Sequence, residues 1–214
     1  MKILLITRPD YDITTRYLSA WSKKVIELAE KKNVQVLDLK REKANPKELK
    51  SRILKMSPAL IIFNGHGDNN CVTGYQDKIL IQAGDNEELL ESKIVYAVSC
   101  RSAAELGPKS IQAGALTYIG YTGDFIFCHD MNKITLPLND KIVGLFLEPS
   151  NQVSISLIKG STSQDATDRS KQFFWRNIQK MLSSEGTVES NQYAKYLWWN
   201  MKHQVCLGDN ESTF

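Results

Sequence analysis

Up to Tyr121 the chain alternates between short apolar runs and stretches whose apolar residues recur at three- and four-residue steps. Lys2–Thr7, Val34–Leu39, Ala59–Asn64, Ile94–Ser99 and Leu116–Tyr121 are nearly continuous in aliphatic and aromatic residues, the pattern of strands buried on both faces. Thr14–Lys31 sets Leu18, Trp21, Val25 and Leu28 on one face of an amphipathic helix. Asn45-Pro46 reads as N-cap and first position of a helix carrying Leu49 and Ile53. Ser102–Gln112 is a further short helix with Gly107-Pro108 as its weak point. Strands separated by helices predict right-handed βαβ units and an α/β fold of three layers, its mostly parallel sheet covered on both sides.

Two segments depart from this rhythm. Cys71–Ala83 holds two short apolar stretches around a Gln76-Asp77 turn, which predicts a small β-hairpin after the third strand. From Thr122 to Asn139 polarity is mixed, the sign of a long loop able to cover a cleft. Helical patterns return at Asp140–Leu147, Val153–Lys159, Asp168–Leu182 and Gln192–His203. No repeat or low-complexity linker divides the chain, so residues 1–214 are expected to form one domain.

Composition narrows the classes. With 42% hydrophobic and 24% charged residues, the 214-residue chain has the makeup of a globular protein rather than a disordered or fibrous one. A formal charge of +3 gives no reason to expect a nucleic-acid or membrane partner. No apolar run approaches the roughly 18 residues of a membrane span. The run Ile3-Leu4-Leu5-Ile6 is too short for a signal-peptide core, so a cytoplasmic location is the expectation. Cys71, Cys100, Cys128 and Cys206 are far apart and are read as free thiols. No close ligand pairs suggest a metal, and phosphate-loop, dinucleotide and zincin motifs are missing, so no cofactor is expected.

The residues that suggest chemistry fall at two strand ends. His66, in Asn64-Gly65-His66-Gly67-Asp68, follows the third strand, and Cys100, in Val98-Ser99-Cys100-Arg101-Ser102, follows the fourth. Ligands of open parallel sheets bind in the crevice beyond the strand C-termini. If the two strands are neighbours, a thiol nucleophile and an imidazole base share one rim. Glycines flanking His66 allow unusual backbone angles and close approach of a substrate, and the amides of Gly67 and Cys100 are candidates for an oxyanion hole. Cys100 at the start of a helix would have its thiolate favoured by the helix amides. Cys71 and the adjacent Cys128-His129 are rivals without a strand-end scaffold, and His203 and Cys206 read as structural.

The segments ALIIFNGHG (59–67) and IVYAVSC (94–100) resemble the caspase-like cysteine peptidases, in which one hydrophobic strand ends in His-Gly and another in a small residue and Cys. Caspases separate the two by about 50 residues. The shorter gap here, and RSAAELGPKSIQAGALTYIG (101–120), are more similar to the CHAT and gingipain branch. Cys206-Leu207-Gly208-Asp209 is similar to that branch's closing segment, with Asn210 where proline is usual. The resemblance implies a caspase-hemoglobinase fold, His66 as base and acid, and Cys100 as nucleophile in a dyad. It also implies an oxyanion site at the Gly67 and Cys100 amides and a protein or peptide substrate. Asp124, in the loop after the next strand, and Asp68 stand where a carboxylate would favour Arg or Lys before the scissile bond; a solvated loop aspartate is the plainer reading. A peptidase of this kind calls for a regulatory protein or a restraining loop, with 122–139 the candidate. The competing class is a non-catalytic flavodoxin-like module that senses a ligand at the same strand ends. A glutaminase is disfavoured, because no GxCxG elbow surrounds Cys100 and no His-x-Glu follows it.

Overall fold

The computed structural model describes residues 2–183 and 191–214. Five parallel strands, β1 (Ile3–Arg8), β2 (Gln35–Lys40), β3 (Leu60–Asn64), β7 (Ile94–Val98) and β8 (Thr117–Tyr121), form the main sheet, and antiparallel β9 (Gln204–Gly208) closes one edge. Their order is β2-β1-β3-β7-β8-β9. The five runs expected from the apolar pattern are therefore the five parallel strands. β9 was not anticipated: its QVCLG sequence follows a helix without a turn signal, and pairing with β8 makes it a strand.

Alternate side chains divide the core in two. Leu4, Ile6, Leu60, Ile62, Ile94, Tyr96 and Val98 face α1 (Ile13–Trp21), α2 (Lys23–Lys31), α5 (Lys141–Ile158) and α6 (Ser163–Leu182). Leu5, Ile61, Phe63, Val95 and Ala97 face α3 (Pro46–Met56), α4 (Leu106–Gln112) and the small sheet. The last helix is α7 (Ala194–His203). This three-layer, mostly parallel arrangement is the predicted caspase-hemoglobinase architecture. The small sheet has three strands rather than two, because β4 (Gly67–Asp68) joins the expected β5 (Cys71–Thr73) and β6 (Ile79–Gln82).

Local hydrogen bonding moves several boundaries. The single helix expected over 14–31 is broken at Ser22, whose hydroxyl donates to the Ser19 carbonyl while the Asn151 amide donates to that of Trp21. Asp12 caps α1, which begins one residue before the expected Thr14, and Thr162 starts α6 by accepting from the Asp165 amide at 3.1 Å. Asn45 caps α3 as predicted, with the Glu48 amide at 3.0 Å. The two helices expected over 140–159 are one, despite Pro149 inside it. A proline there leaves the carbonyl of Leu145 without its helical donor, and the Asn177 side chain on α6 donates to it at 2.9 Å.

The 122–140 segment is irregular, as expected, but fastened. Asn200 bonds both the amide and the carbonyl of Ile126, and Trp21 donates to the Pro137 carbonyl. Buried Asp140 accepts from Tyr17 and the Asp130 amide on one oxygen, and from the Ile142 and Val143 amides on the other. Asn177→Ala is expected to destabilise the protein by about 1 kcal/mol by orphaning the Leu145 carbonyl. Urea unfolding checks this, and an unchanged midpoint would show that the proline-containing turn needs no side-chain donor.

Candidate active site

The rim is built from the strand ends upward. Thr7 and Asn64 knit β1 to β3: the Asn64 amide donates to the Thr7 hydroxyl at 3.0 Å, and its side chain to the Thr7 carbonyl at 2.9 Å. β3 and β7 pair in register from Leu60–Ile94 to Asn64–Val98, and the Gly65 amide reaches the Val98 carbonyl beyond that. His66 and Cys100 thus lie two residues past registered partners on neighbouring strands, which are separated by about 4.8 Å. Both turn to the α1 face. The His66 ring meets Asp12 at the head of α1, and the Cys100 sulfur lies 4.0 Å from the carbonyl of Phe125, a member of that face's core.

The glycines around His66 are there for space. Neither has a positive φ, which replaces the expectation of unusual backbone angles. A Cβ at Gly65 would stand 2.4 Å from the Thr73 carbonyl oxygen, and one at Gly67 would stand 2.7 Å from that of Cys71 and 3.0 Å from the Ser99 Cβ. The small sheet therefore folds directly onto the histidine loop, where the Thr73 amide donates to the His66 carbonyl at 2.9 Å.

Asp12 went unnoticed in the sequence. Its Oδ1 accepts from the Thr15 amide at 2.7 Å, capping α1, while Thr15 Oγ1 accepts from the Asp12 amide. Its Oδ2 lies 2.6 Å from His66 Nε2. Burial alone would raise the Asp12 carboxyl, but the Thr15 amide, the His66 ring and the Thr15 hydroxyl together hold it below the usual carboxylate range. A carboxylate at Nε2 requires the proton on that nitrogen and leaves Nδ1 as the basic one. The signal available in the sequence was Asp-x-x-Thr ahead of an apolar periodicity, which reports a helix cap and says nothing of an imidazole.

No family model and no curated protein matches the sequence. Solved structures do resemble the fold. The Arg-specific cysteine proteinase gingipain R aligns over 99% of this chain and 47% of its own, with a TM-score of 0.63 and 10% identity. A complex of gingipain pro- and mature domains from Porphyromonas gingivalis gives 0.61 and 10% over 98% and 47%. A further protease gives 0.54 and 12% over 99% and 48%. The chain spans just under half the length of these proteins.

The chain has the caspase-like cysteine peptidase fold.

Within this caspase-like frame the electrostatics of Cys100 differ from expectation. α4 begins at Leu106, so Cys100 sits in a turn and not at a helix start. Burial pushes its thiol above the ordinary value; a backbone hydrogen bond at Phe125 opposes this and Asp124 adds to it. Cys71 and Cys128 are likewise raised by burial, and Cys206 is pushed up to about 11. All four are free thiols.

Asp68 and Asp124 converge on Arg101, the residue after Cys100. Asp124 accepts from the guanidinium at 2.7 and 3.2 Å, and Asp68 lies 3.7 Å from it. Arg101 itself is in the left-handed region, φ +55°, with its amide donating to the Gly123 carbonyl. Trp199 and His203 brace the same turn: Trp199 donates to the Asp124 carbonyl at 2.9 Å, and Thr122 bonds His203 Nδ1 at 3.1 Å. A Cβ at Gly123 would stand 2.8 Å from the His203 ring. His203 is thus structural, as read from the sequence. His129 packs on Tyr17. Among the described residues no three His, Cys, Asp or Glu side chains gather to hold a metal ion.

Because its folded carboxyl is depressed, Asp12 contributes stability that is present above the ordinary carboxylate range. That contribution is lost as pH falls through the lowered value. Asp12→Asn, which preserves a capping side chain, is expected to flatten this acid limb, whereas Asp12→Ala costs about a further 1 kcal/mol for the lost cap. Unfolding measured between pH 3 and pH 7 on all three proteins checks the ordering.

Proposed function

We propose that this chain is a cysteine endopeptidase. One observation carries the reading: a carboxylate-oriented imidazole and a thiol leave adjacent strand ends on the same face of the sheet. His66, protonated on Nε2 toward Asp12, takes the Cys100 proton on Nδ1 as sulfur attacks the peptide carbonyl. The tetrahedral oxyanion is held by the amides of Gly67 and Cys100. His66 then returns the proton to the leaving amine, giving a thioester, and the same imidazole activates the water that hydrolyses it. Asp12 stabilises the imidazolium formed along the way.

The substrate is a protein or peptide chain. Two carboxylates around one guanidinium leave a negative remainder beside Cys100, which supports binding of a basic residue before the scissile bond. Arg101 competes with that residue for Asp124. The second reading, a ligand-sensing module without chemistry, is favoured by the raised thiol, which approaches the Phe125 carbonyl.

A peptide-library assay with wild type and Cys100→Ala separates the two. Cleavage abolished in the variant is the expected result, and a library left intact by the wild-type protein would point to the sensor. Asp12→Asn is expected to lower kcat by about 10²- to 10⁴-fold with little change in KM. Arg101→Gln is expected to raise the kcat/KM ratio for Arg over Leu before the scissile bond, and Asp124→Asn to lower it. An unaltered Arg/Leu ratio in both variants removes Asp124 from substrate recognition.

A further inference from the structure

Beyond His66, on the side away from Cys100, the same rim opens into a cavity of about 410 Å³ at the C-terminal ends of β1 and β2. Four cations line it, Arg16 and Lys23 from the α1–α2 edge and Lys40 and Arg41 from the end of β2. All four are exposed. Their only acidic companion in the lining is Asp10, which accepts from Arg41 Nε at 3.0 Å and lies 3.9 Å from Arg16 Nε. Its side chain is only 14% exposed, so it acts as a fixed anchor for two guanidiniums. Asp10 and Arg41 both adopt left-handed backbone, φ +50° and +52°, at the turns that bring these groups together. Thr135 of the fastened 122–140 segment completes the far wall.

Four exposed cations with Asp10 as their one acidic neighbour in the lining leave a positive potential in the hollow that favours an anion. The position indicates which. Asp10 lines the hollow, and Asp12, two residues on, holds the His66 ring. Two strand spacings separate β2 from β3, about 10 Å, the reach of roughly three extended residues. The hollow lies along the same strand-end edge of the sheet as His66, and its cations are exposed. It thus fits a carboxylate carried past on an extended chain. Along the rim, charge runs from the cations at β2, through His66 and Cys100, to the carboxylates around Arg101.

We propose that this cationic hollow is a subsite of the same cleft that binds an acidic side chain of the peptide substrate, about three residues from the scissile bond on the β1–β2 side. The proposal rests on the peptidase reading. Recognition is through charge pairs at half-exposed guanidiniums, so it weakens as salt rises.

The test uses the full chain and two sets of otherwise identical fluorescent peptides, with Glu or Gln scanned over the positions two to four residues to either side of the cleaved bond. Wild type is expected to favour Glu at one such position by roughly three- to ten-fold in kcat/KM at low salt, and less at 0.5 M NaCl. Fluorescence anisotropy with Cys100→Ala should show the same preference in binding, without turnover. In Lys40→Glu/Arg41→Glu the preference is expected to invert toward Lys at that position, a gain that misfolding does not produce. Equal cleavage of Glu and Gln peptides at every position overturns the subsite and leaves the peptidase reading standing. Peptides neither cut nor bound overturn both. Tripolyphosphate that raises the Tm while peptides show no Glu preference assigns the hollow to a small free anion, and overturns the proposal as well.

Discussion

One carboxylate holds the arrangement together. Asp12 caps α1 with one oxygen and positions the His66 ring with the other. The two roles support each other, because a helix start fixes a side chain far better than a loop does. The aspartate is itself held by the Thr15 amide and hydroxyl, so its second oxygen is presented at a set place. Tyr11 adds a brace by bonding Asp77 on the small sheet and packing edge-on against the His66 ring. Turn, helix and small sheet thereby close around one imidazole.

The architecture was readable because its cause is periodic. Five apolar runs became five parallel strands, and placing His66 and Cys100 at the ends of two of them put both on one rim. What escaped were features set by partners distant in sequence. β9 exists because β8 offers a free edge. α5 runs unbroken through Pro149 because Asn177, on another helix, supplies the missing donor. The break at Ser22 is stabilised by Asn151. None of these partners is visible to a window moving along the chain.

The site shows the same division. Residue types at strand ends marked the candidate site, while their electrostatic state came from the fold. Helix amides were expected to favour the Cys100 thiolate, but the chain turns for several residues before α4 begins. Asp68 and Asp124 looked like free carboxylates until Arg101 was seen between them. The glycines around His66 owe nothing to positive φ: carbonyl oxygens of the small sheet leave no room for a Cβ.

On the proposed peptidase reading, the balance of charge beside Cys100 sets how its thiol would have to work. The field of Arg101 at the sulfur favours the thiolate, but its guanidinium is chelated by Asp124, whose field acts in the opposite sense. Burial outweighs both and shifts the group toward the neutral thiol. On the proposed reading, nucleophilicity would then be created during attack, by a base poised to take the proton. That requirement returns to His66, to the nitrogen left free of Asp12, and so to the turn between β1 and α1. A thiolate stabilised in advance would tolerate a loosely held histidine, whereas a buried neutral thiol does not. If the chain is the peptidase proposed, the capped helix start is the part of this rim where a small displacement would cost the most activity.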